Sequence, residues 1–155
     1  MAKVSCGLLM YRIKNDRKEF FLVHPGGPFF KNKDEGVWSI PKGEPENGEE
    51  DYLKVAQREF EEETSIYPEG PYKDLGTVKQ KSGKTIYAWA FEGDWPDGKP
   101  IESNTFMLEW PPKSGKQIEI PEVDRGEWYE YEMALKKVFQ AQQELIKKCN
   151  EIPKD

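Results

Sequence analysis

Residues 43–66 restrict the possible fold more than any other part of the sequence, because a turn-rich start leads into a strongly amphipathic helix pattern. Apolar residues recur at helical spacing from Glu50 to about Thr64, and the pattern stops before Pro68, which predicts a helix over residues 50–64. Such a helix has to bury its apolar face against another layer of structure. That face consists of Leu53, Ala56 and Phe60, with Tyr52 and Val55 beside it.

The same helix carries four carboxylates close to its C-terminal end. At roughly 100° per residue, Glu59, Glu62 and Glu63 fall within about 100° of one another, whereas Glu61 points to the other side. Like charges on one helical face repel each other, and the helix dipole disfavours negative charge at this end. The arrangement therefore predicts a bound cation, and oxygen ligands at a substrate site favour Mg²⁺.

The rest of the chain is mainly β-prone and is divided by turn residues. Strands, one helix, further strands and a final helix predict an α/β fold, in which a mixed sheet carries helices on its faces within a single domain over residues 1–155. We expect strands at residues 4–13, 19–24, 37–40, 75–80, 85–92 and 105–110, a flexible basic loop at 113–116, a β-prone segment or bridge at 128–131, and a last helix at 132–150.

Charge and apolar content limit the classes of partner. The formal net charge of −6 argues against a nucleic-acid backbone or an anionic membrane as the main partner, whereas a phosphate-bearing small molecule is compatible with it if metal ions supply positive charge. No apolar run approaches the roughly 20 residues of a membrane helix, and the N-terminal apolar stretch is too short for a signal peptide. Cys6 and Cys149 are expected to be reduced thiols in a cytoplasmic protein, although the sequence leaves a disulfide between them open.

Residues 43–66 resemble the Nudix box, G-x5-E-x7-R-E-U-x-E-E-x-G-U, where U is a bulky apolar residue. The run REFEEETSI at residues 58–66 matches its second half, and counting back from Arg58 across seven intervening residues reaches Glu50. The loop from Gly43 to Glu50 then holds one residue too many, so that either it carries an insertion or Glu49 substitutes and the helix start shifts. Ser65 stands where the box has glycine, in a position where a left-handed conformation is less favourable for a residue with a side chain.

The resemblance extends to the segment before the box. WSIPKGE at residues 38–44 is similar to the W-x-x-P-K-G sequence of Nudix enzymes that act on dinucleoside polyphosphates or diphosphoinositol polyphosphates. The fold that the family implies is an α/β/α sandwich with a central mixed sheet, which agrees with the pattern of elements.

The resemblance also implies roles for individual residues. Glu59, Glu62 and Glu63 would bind one to three Mg²⁺ ions, with Mn²⁺ as a substitute, and the carbonyl of Gly43 would be a further ligand. The implied chemistry is attack by water on a phosphorus atom of a diphosphate linkage. Arg58 would pair with Glu50 or Glu62 and orient the helix, and the general base would be Glu62 or Glu122.

Three further residues are candidates for contact with substrate. Lys42 would contact a phosphate as a point charge, with a surface lysine as the alternative. His24, the only histidine, would do the same, with a hydrogen-bonded residue at a strand end as the alternative. Trp110, together with Phe29, Phe30 and residues 113–116, would flank a base or a polyphosphate; for the aromatic residues, packing in the core is the alternative.

The function that the resemblance implies is a Mg²⁺-dependent pyrophosphohydrolase acting on a nucleoside diphosphate linked to another group. A dinucleoside polyphosphate such as diadenosine tetraphosphate is the first expectation for the substrate. Hydrolysis of a nucleoside triphosphate to release pyrophosphate is the alternative, followed by nucleoside-diphosphate sugars. A catalytically silent domain that senses a nucleotide is the alternative from another class. We expect a nucleotide or polyphosphate as the small-molecule partner and a monomer or homodimer.

Overall fold

A mixed sheet with helices packed around it makes up residues 3–154, the part of the chain that the computed structural model describes. In chain order the elements are β1 (Val4–Lys14), β2 (Arg17–Pro25), β3 (Lys42–Gly43), α1 (Tyr52–Thr64), β4 (Lys73–Lys79), β5 (Thr85–Glu92), β6 (Thr105–Glu109), β7 (Gln117–Pro121), β8 (Val123–Glu130), α2 (Tyr131–Lys137), a 3-10 turn (Gln140–Gln142) and α3 (Gln143–Asn150).

Strand β1 lies in the middle of the sheet. It runs parallel to β5 and antiparallel to β2 and β3, and the main sheet has the order β4-β5-β1-β2-β8. The pair β6-β7 forms a separate two-stranded hairpin. The single parallel pair makes the sheet mixed, as the sequence predicted.

Both faces of the sheet are buried. Successive side chains of a strand point to opposite faces, and on one face Leu8 and Met10 pack with Val55 and Phe60 of α1. On the other face Leu9 belongs to a second core that contains Leu145, Ile146 and Cys149 of α3. The predicted sandwich of helix, sheet and helix is confirmed.

Helix α1 begins two residues later than predicted. Asp51 is its N-cap, with a side chain that accepts a hydrogen bond from the amide of Lys54, so the helix starts at Tyr52 and Glu50 stays outside it. The helix ends at Thr64, as predicted. The later start makes the preceding loop longer, which matters for the site.

Ser65 adopts the left-handed conformation that the sequence pattern predicted for the residue after α1, with φ 62°. Its amide donates to the carbonyl of Glu61 over 2.8 Å, and its hydroxyl donates to the carbonyl of Glu102 over 2.7 Å. A glycine could not make the second bond, and this contact offsets part of the conformational cost of a side chain here.

The predicted strand over residues 37–40 is not formed. Only two isolated bridges are present, between Ser39 and Val23 and between Trp38 and Val138. The segment passes between β2 and the C-terminal helices, and it finds backbone partners on both sides instead of extending one ladder.

The predicted continuous helix over residues 132–150 is also wrong, because α2 ends at Lys137. Val138 and Phe139 are extended, with ψ 155° and 141°. Phe139 donates its amide to the carbonyl of Trp38 over 3.0 Å, so a contact with a distant segment replaces the helical bonds at this point. The chain then forms the 3-10 turn and α3.

The predicted strand at residues 105–110 is confirmed as β6, but its partner β7 was not predicted. The expected flexible loop at residues 113–116 lies in the turn of this hairpin. Strand β8 starts at Val123 and not near residue 128, although Asp124 and Gly126 are residue types depleted in strands. Pairing with β2 overrides that local preference.

Both cysteines are free thiols with no exposed surface. Cys6 lies in the core under α1, and Cys149 lies in the core on the opposite face of the sheet. The prediction that they do not pair is confirmed. Separately, no helix within residues 3–154 has the length and apolar character needed to cross a membrane.

Candidate active site

Arg58, in the middle of α1, connects the acidic helix to the loop before it. Its Nε and Nη2 atoms donate to the two carboxylate oxygens of Glu49 over 2.8 and 2.7 Å. The expected pairing with Glu50 is not formed: Glu50 is exposed and makes no ion pair within residues 3–154. Glu49 substitutes for it, because the late start of α1 leaves Glu49 in the loop, where its side chain can turn back. The five residues between Gly43 and Glu49 match the spacing of the motif, so the sequence did contain a signal for Glu49 as the partner of Arg58.

The third nitrogen of Arg58 contacts the acidic face of the helix. Nη1 donates to Glu59 over 2.8 Å and to both carboxylate oxygens of Glu62 over 2.9 Å, so the predicted pairing with Glu62 is observed. These carboxylates, with Glu49 first among them, raise the pKa of Arg58. One guanidinium group therefore neutralises part of the charge that the helix concentrates, while Glu61 stays exposed on the other side.

Gly43 lies against the carboxylate of Glu59. A Cβ atom at residue 43 would lie 2.0 Å from Cδ of Glu59, far inside contact distance. The Glu59 side chain is 13% exposed, and burial raises the pKa of its carboxyl group. The absence of a side chain at Gly43 thus lets strand β3 and helix α1 approach each other and leaves room for the carboxylate of Glu59.

Lys42, Glu63 and Glu122 line a cavity of about 180 Å³ beside this contact. Glu63 is 7% exposed; burial raises the pKa of its carboxyl group well above the ordinary value, Glu59 raises it further, and Lys42 opposes the change. Burial also raises the pKa of Glu122 and lowers the pKa of Lys42. The cavity therefore brings together Lys42 of β3, Glu63 of α1 and Glu122, which lies between β7 and β8; Glu63 is buried, and the other two are half-buried.

A chain of backbone hydrogen bonds holds Glu122 next to the end of α1. Asn104 donates to the carbonyl of Glu62 over 2.8 Å, Glu122 donates to the carbonyl of Asn104 over 2.9 Å, and Gly26 donates to the carbonyl of Glu122 over 3.1 Å. A Cβ atom on Gly26 would lie 2.1 Å from the carbonyl oxygen of Pro121. Residues distant in sequence fix the position of Glu122, and no local pattern indicated Asn104 or Gly26.

The residues fit a hard divalent cation. Glu63 is buried and Glu59 is half-buried, burial raises the pKa of both carboxyl groups, and Gly43 leaves room for Glu59. Oxygen donors of this kind suit Mg²⁺ or Mn²⁺. Within residues 3–154, no three His, Cys, Asp or Glu side chains converge to ligand spacing, and Arg58 occupies both oxygens of Glu62.

His24 is fully committed within the protein. It is 1% exposed, Nδ1 lies 2.9 Å from Oδ1 of Asp124, and Nε2 donates to the carbonyl of Lys33 over 2.7 Å. Its ring packs edge-on against Trp38 at 5.2 Å. These contacts match the alternative considered for this residue, a hydrogen-bonded histidine at a strand end, and leave no ring nitrogen for a substrate phosphate.

Trp110 lies at the turn of the β6-β7 hairpin, away from the cavity. It follows β6, whose first residue, Thr105, pairs with Pro121 next to Glu122. Five residues of extended chain place Trp110 roughly 17 Å from that end of the hairpin. Trp110 is not brought to the acidic residues, and Phe29, which is 58% exposed, is not part of the core.

Two residues that the sequence did not indicate contribute to the site from the C-terminal segment. Phe139 lines the cavity, and it also lines a wider pocket of about 690 Å³ bordered by Gly36, Lys79 and Lys81. Gln142 is fully buried and hydrogen-bonds to residues 39 and 40. The sequence analysis placed both residues in one continuous helix. The observed break after Lys137 is what directs their side chains inward.

The comparison with protein families gives one match. A model described as the NUDIX domain matches residues 6–149, which is most of the chain. No curated protein matches the sequence at a significant level.

Solved structures with the same fold cover nearly the whole chain. The Ap4A hydrolase of C. elegans, in a binary complex, is 23% identical with a TM-score of 0.67 over 94% of each chain. The NUDIX domain of Shewanella oneidensis NrtR, complexed with ADP ribose, is 17% identical with a TM-score of 0.65 over 97% of this chain and 88% of that one. The MutT protein from Methanosarcina mazei Go1 is 18% identical with a TM-score of 0.60 over 99% and 96%. At these identities the likeness establishes a shared fold.

Proposed function

Since the chain belongs to the NUDIX family of pyrophosphohydrolases, we propose that it hydrolyses a nucleoside diphosphate linked to another group, with a divalent cation held at the C-terminal half of α1. The proposed ligands are Glu59, Glu62, Glu63 and the carbonyl of Gly43. A bound Mg²⁺ would neutralise phosphate charge and lower the pKa of an attacking water.

The cavity formed by Lys42, Glu63 and Glu122 is the observation that carries this proposal. A half-buried lysine beside two acids with raised pKa values is a costly arrangement unless charged ligands complete it. A bound cation would neutralise the charge of the carboxylates, and a phosphate would neutralise the charge of Lys42. The cation and the phosphate would also attract each other. The net charge of −6 makes such local compensation necessary for an anionic substrate.

Lys42 and Glu122 have distinct proposed roles. Lys42 contacts a substrate phosphate as a point charge, since it lines the cavity and Lys84 adds positive charge nearby. Glu122 is the proposed general base, because it faces the cavity and burial raises the pKa of its carboxyl group. Glu62, the other candidate for the base, has both oxygens on Arg58 and is better suited to hold charge than to accept a proton.

The proposed substrate class is a dinucleoside polyphosphate. Its support is the segment WSIPKGE at residues 38–44 and a wider pocket of about 690 Å³ that shares Phe139 with the cavity. Lys79 and Lys81 border that pocket, so it offers positive charge and space for a polyphosphate and a second nucleoside. The likeness to the Ap4A hydrolase of C. elegans is in keeping with this class.

Two other functions remain as alternatives. A nucleoside triphosphate pyrophosphatase would use the same acidic residues and leave the wider pocket empty. The likeness to a MutT protein is in keeping with this alternative. A nucleotide-sensing domain without catalysis would retain binding but not turnover. The presence of Glu59, Glu62 and Glu63, together with Arg58, argues against loss of catalysis.

A substrate panel with identification of products tests the proposal. The purified protein, with Mg²⁺ or Mn²⁺, is incubated with diadenosine tetraphosphate, a nucleoside triphosphate, ADP-ribose and a nucleoside-diphosphate sugar. ATP plus AMP from diadenosine tetraphosphate is the expected result, whereas a nucleoside monophosphate plus pyrophosphate would favour the triphosphate alternative. A Glu59→Gln, Glu63→Gln double variant controls for contaminating hydrolases. Binding without hydrolysis of any of these compounds would overturn the proposal and favour sensing.

A further inference from the structure

Residues 38–43 carry two residues of the site, Lys42 and Gly43, but most of this segment lies outside any strand. Its backbone is held at a few points. Ser39 exchanges two backbone hydrogen bonds with Val23, over 2.9 and 3.0 Å, and the carbonyl of Pro41 accepts from the amide of Leu8 over 3.2 Å. Since proline has no N–H, the amide of Ile40 is the last donor before Lys42.

The amide of Ile40 bonds to a side chain more than a hundred positions away in sequence. It donates to Oε1 of Gln142 over 2.9 Å, and Nε2 of Gln142 donates to Oγ of Ser39 over 2.9 Å. The hydroxyl of Ser39 in turn donates to the carbonyl of Ile40 over 2.7 Å. These bonds form a closed set around Ile40, directly before Pro41, and involve the peptide groups on both sides of it.

A glutamine suits this position for a chemical reason. Gln142 and Ile40 have no exposed surface, so water does not replace a lost partner. The position demands an acceptor for the Ile40 amide and a donor for the Ser39 hydroxyl at the same time, which the two ends of one carboxamide supply. An aliphatic side chain of similar size would leave the Ile40 amide without a partner.

We propose that Gln142 is a positioning residue for the active site: it fixes the peptide between Ser39 and Ile40 and so sets the places of Lys42 and Gly43. Lys42 then faces Glu63, and Gly43 lies against Glu59. The C-terminal helix breaks after Lys137, and the extended residues and the 3-10 turn that follow direct Gln142 to residues 39 and 40. The inference rests on the proposed hydrolase function for its kinetic consequences, but not for its structural ones.

The kinetic test compares Gln142→Met with Gln143→Met. Gln143 is a matched control, because its amide also donates to a carbonyl, that of Leu135 over 2.9 Å, within the C-terminal helices and away from the cavity. Misplacement of about 1 Å can cost up to 10²-fold in rate, so kcat of Gln142→Met should fall roughly tenfold or more while KM changes less. The control should stay within about twofold of wild type, with both measured well below their unfolding temperatures. Equal kcat values in the two variants would overturn the proposal.

A conservative variant separates positioning from simple loss of packing. A protonated carboxylic acid has an acceptor and a donor in the places of the amide, and burial favours that neutral form. Gln142→Glu should therefore retain kcat within about threefold of wild type at pH 6. A loss at pH 6 as large as that of Gln142→Met would contradict the role.

Hydrogen exchange provides a readout that does not depend on activity. In folded Gln142→Met the Ile40 amide should exchange faster than in wild type and in Gln143→Met, while amides of β5 keep their protection. Unchanged protection of Ile40 would overturn the inference. If wild type hydrolysed none of the substrates, the proposed function would fail, and this measurement would still decide whether Gln142 fixes the segment.

Discussion

The carboxylate of Glu59 occupies the space that a side chain on Gly43 would fill, with Cδ 2.0 Å from the position of a Cβ atom there. This relationship explains why a glycine begins the acidic motif: the requirement is for space against a helix. It also places β3 against α1 at the carboxylate of Glu59.

Gly43→Ala should therefore disrupt the site more than its size suggests. The added methyl group must displace Glu59 or separate β3 from α1, and we expect the hydrolysis rate to fall by roughly 10²-fold. Measurement of kcat/KM with saturating Mg²⁺ checks this. Gly98→Asn, in an open loop with φ 74° and no atom within 4 Å of a Cβ, is the control. Activity of Gly43→Ala close to wild type would show that Glu59 needs no such contact.

Glu49 and Glu50 form a natural pair for testing which glutamate supports Arg58. Glu49 accepts two hydrogen bonds from Arg58, and Glu50 is exposed. Glu49→Gln should lower kcat/KM by roughly 10- to 100-fold, as expected when a residue that orients a metal-site group is changed, while Glu50→Gln stays within about twofold. A larger loss in Glu50→Gln than in Glu49→Gln would show that Glu50, and not Glu49, supports Arg58.

Glu62 and Glu61 are neighbours on α1 with opposite surroundings. Both oxygens of Glu62 bond to Arg58, whereas Glu61 is exposed. Glu62→Gln should lose roughly 10²-fold or more in rate, and Glu61→Gln should not change it. Titration of activity with Mg²⁺ at fixed substrate separates weaker metal binding from slower turnover. Undiminished activity of Glu62→Gln would remove this residue from the metal site.

His24 should act on stability and not on substrate affinity. His24→Phe leaves the carbonyl of Lys33 without its donor and removes the contact with Asp124, which should lower the free energy of unfolding by about 1–3 kcal/mol. KM should stay within about threefold of wild type, whereas Lys42→Met should raise it more. Urea unfolding and steady-state kinetics on the two variants make the comparison. A selective rise of KM in His24→Phe would instead indicate contact with substrate.

The two thiols should be inert in the folded protein. Burial raises the pKa of Cys6 to about 11 and that of Cys149 to about 12, so at pH 8 the thiolate fraction is lower than for an ordinary cysteine, by roughly 10²-fold or more. We expect no reaction with a thiol-specific disulfide reagent at pH 8 under native conditions and two equivalents after unfolding. Rapid native labelling of either thiol would contradict its burial.

The sequence pattern was sufficient for elements with a strong period and for the acidic face. The stripe of Leu53, Ala56 and Phe60 predicted α1, and helical angles alone separated Glu61 from Glu59, Glu62 and Glu63. Runs of apolar residues likewise predicted β1, β2 and β5. In each case the residues that determine the element are neighbours in the chain or one helical turn apart, so local spacing contains the information.

The pattern failed where a distant partner outweighs local preference. The C-terminal helix breaks because Phe139 bonds to Trp38, and β8 extends through Asp124 and Gly126 because β2 is beside it. Helical propensity and strand propensity each amount to a fraction of a kcal/mol per residue, less than a buried backbone hydrogen bond left unmade.

By itself, then, the sequence determined the family, a mixed sheet with one central acidic helix, and the residues that carry negative charge. Only the tertiary structure decided that Glu49 and not Glu50 pairs with Arg58, that His24 is used up inside the protein, and that Gln142 reaches residues 39 and 40. Charge and periodicity are properties of a local segment, whereas the choice among equivalent partners depends on which groups are buried together, where an unpaired polar atom is most costly.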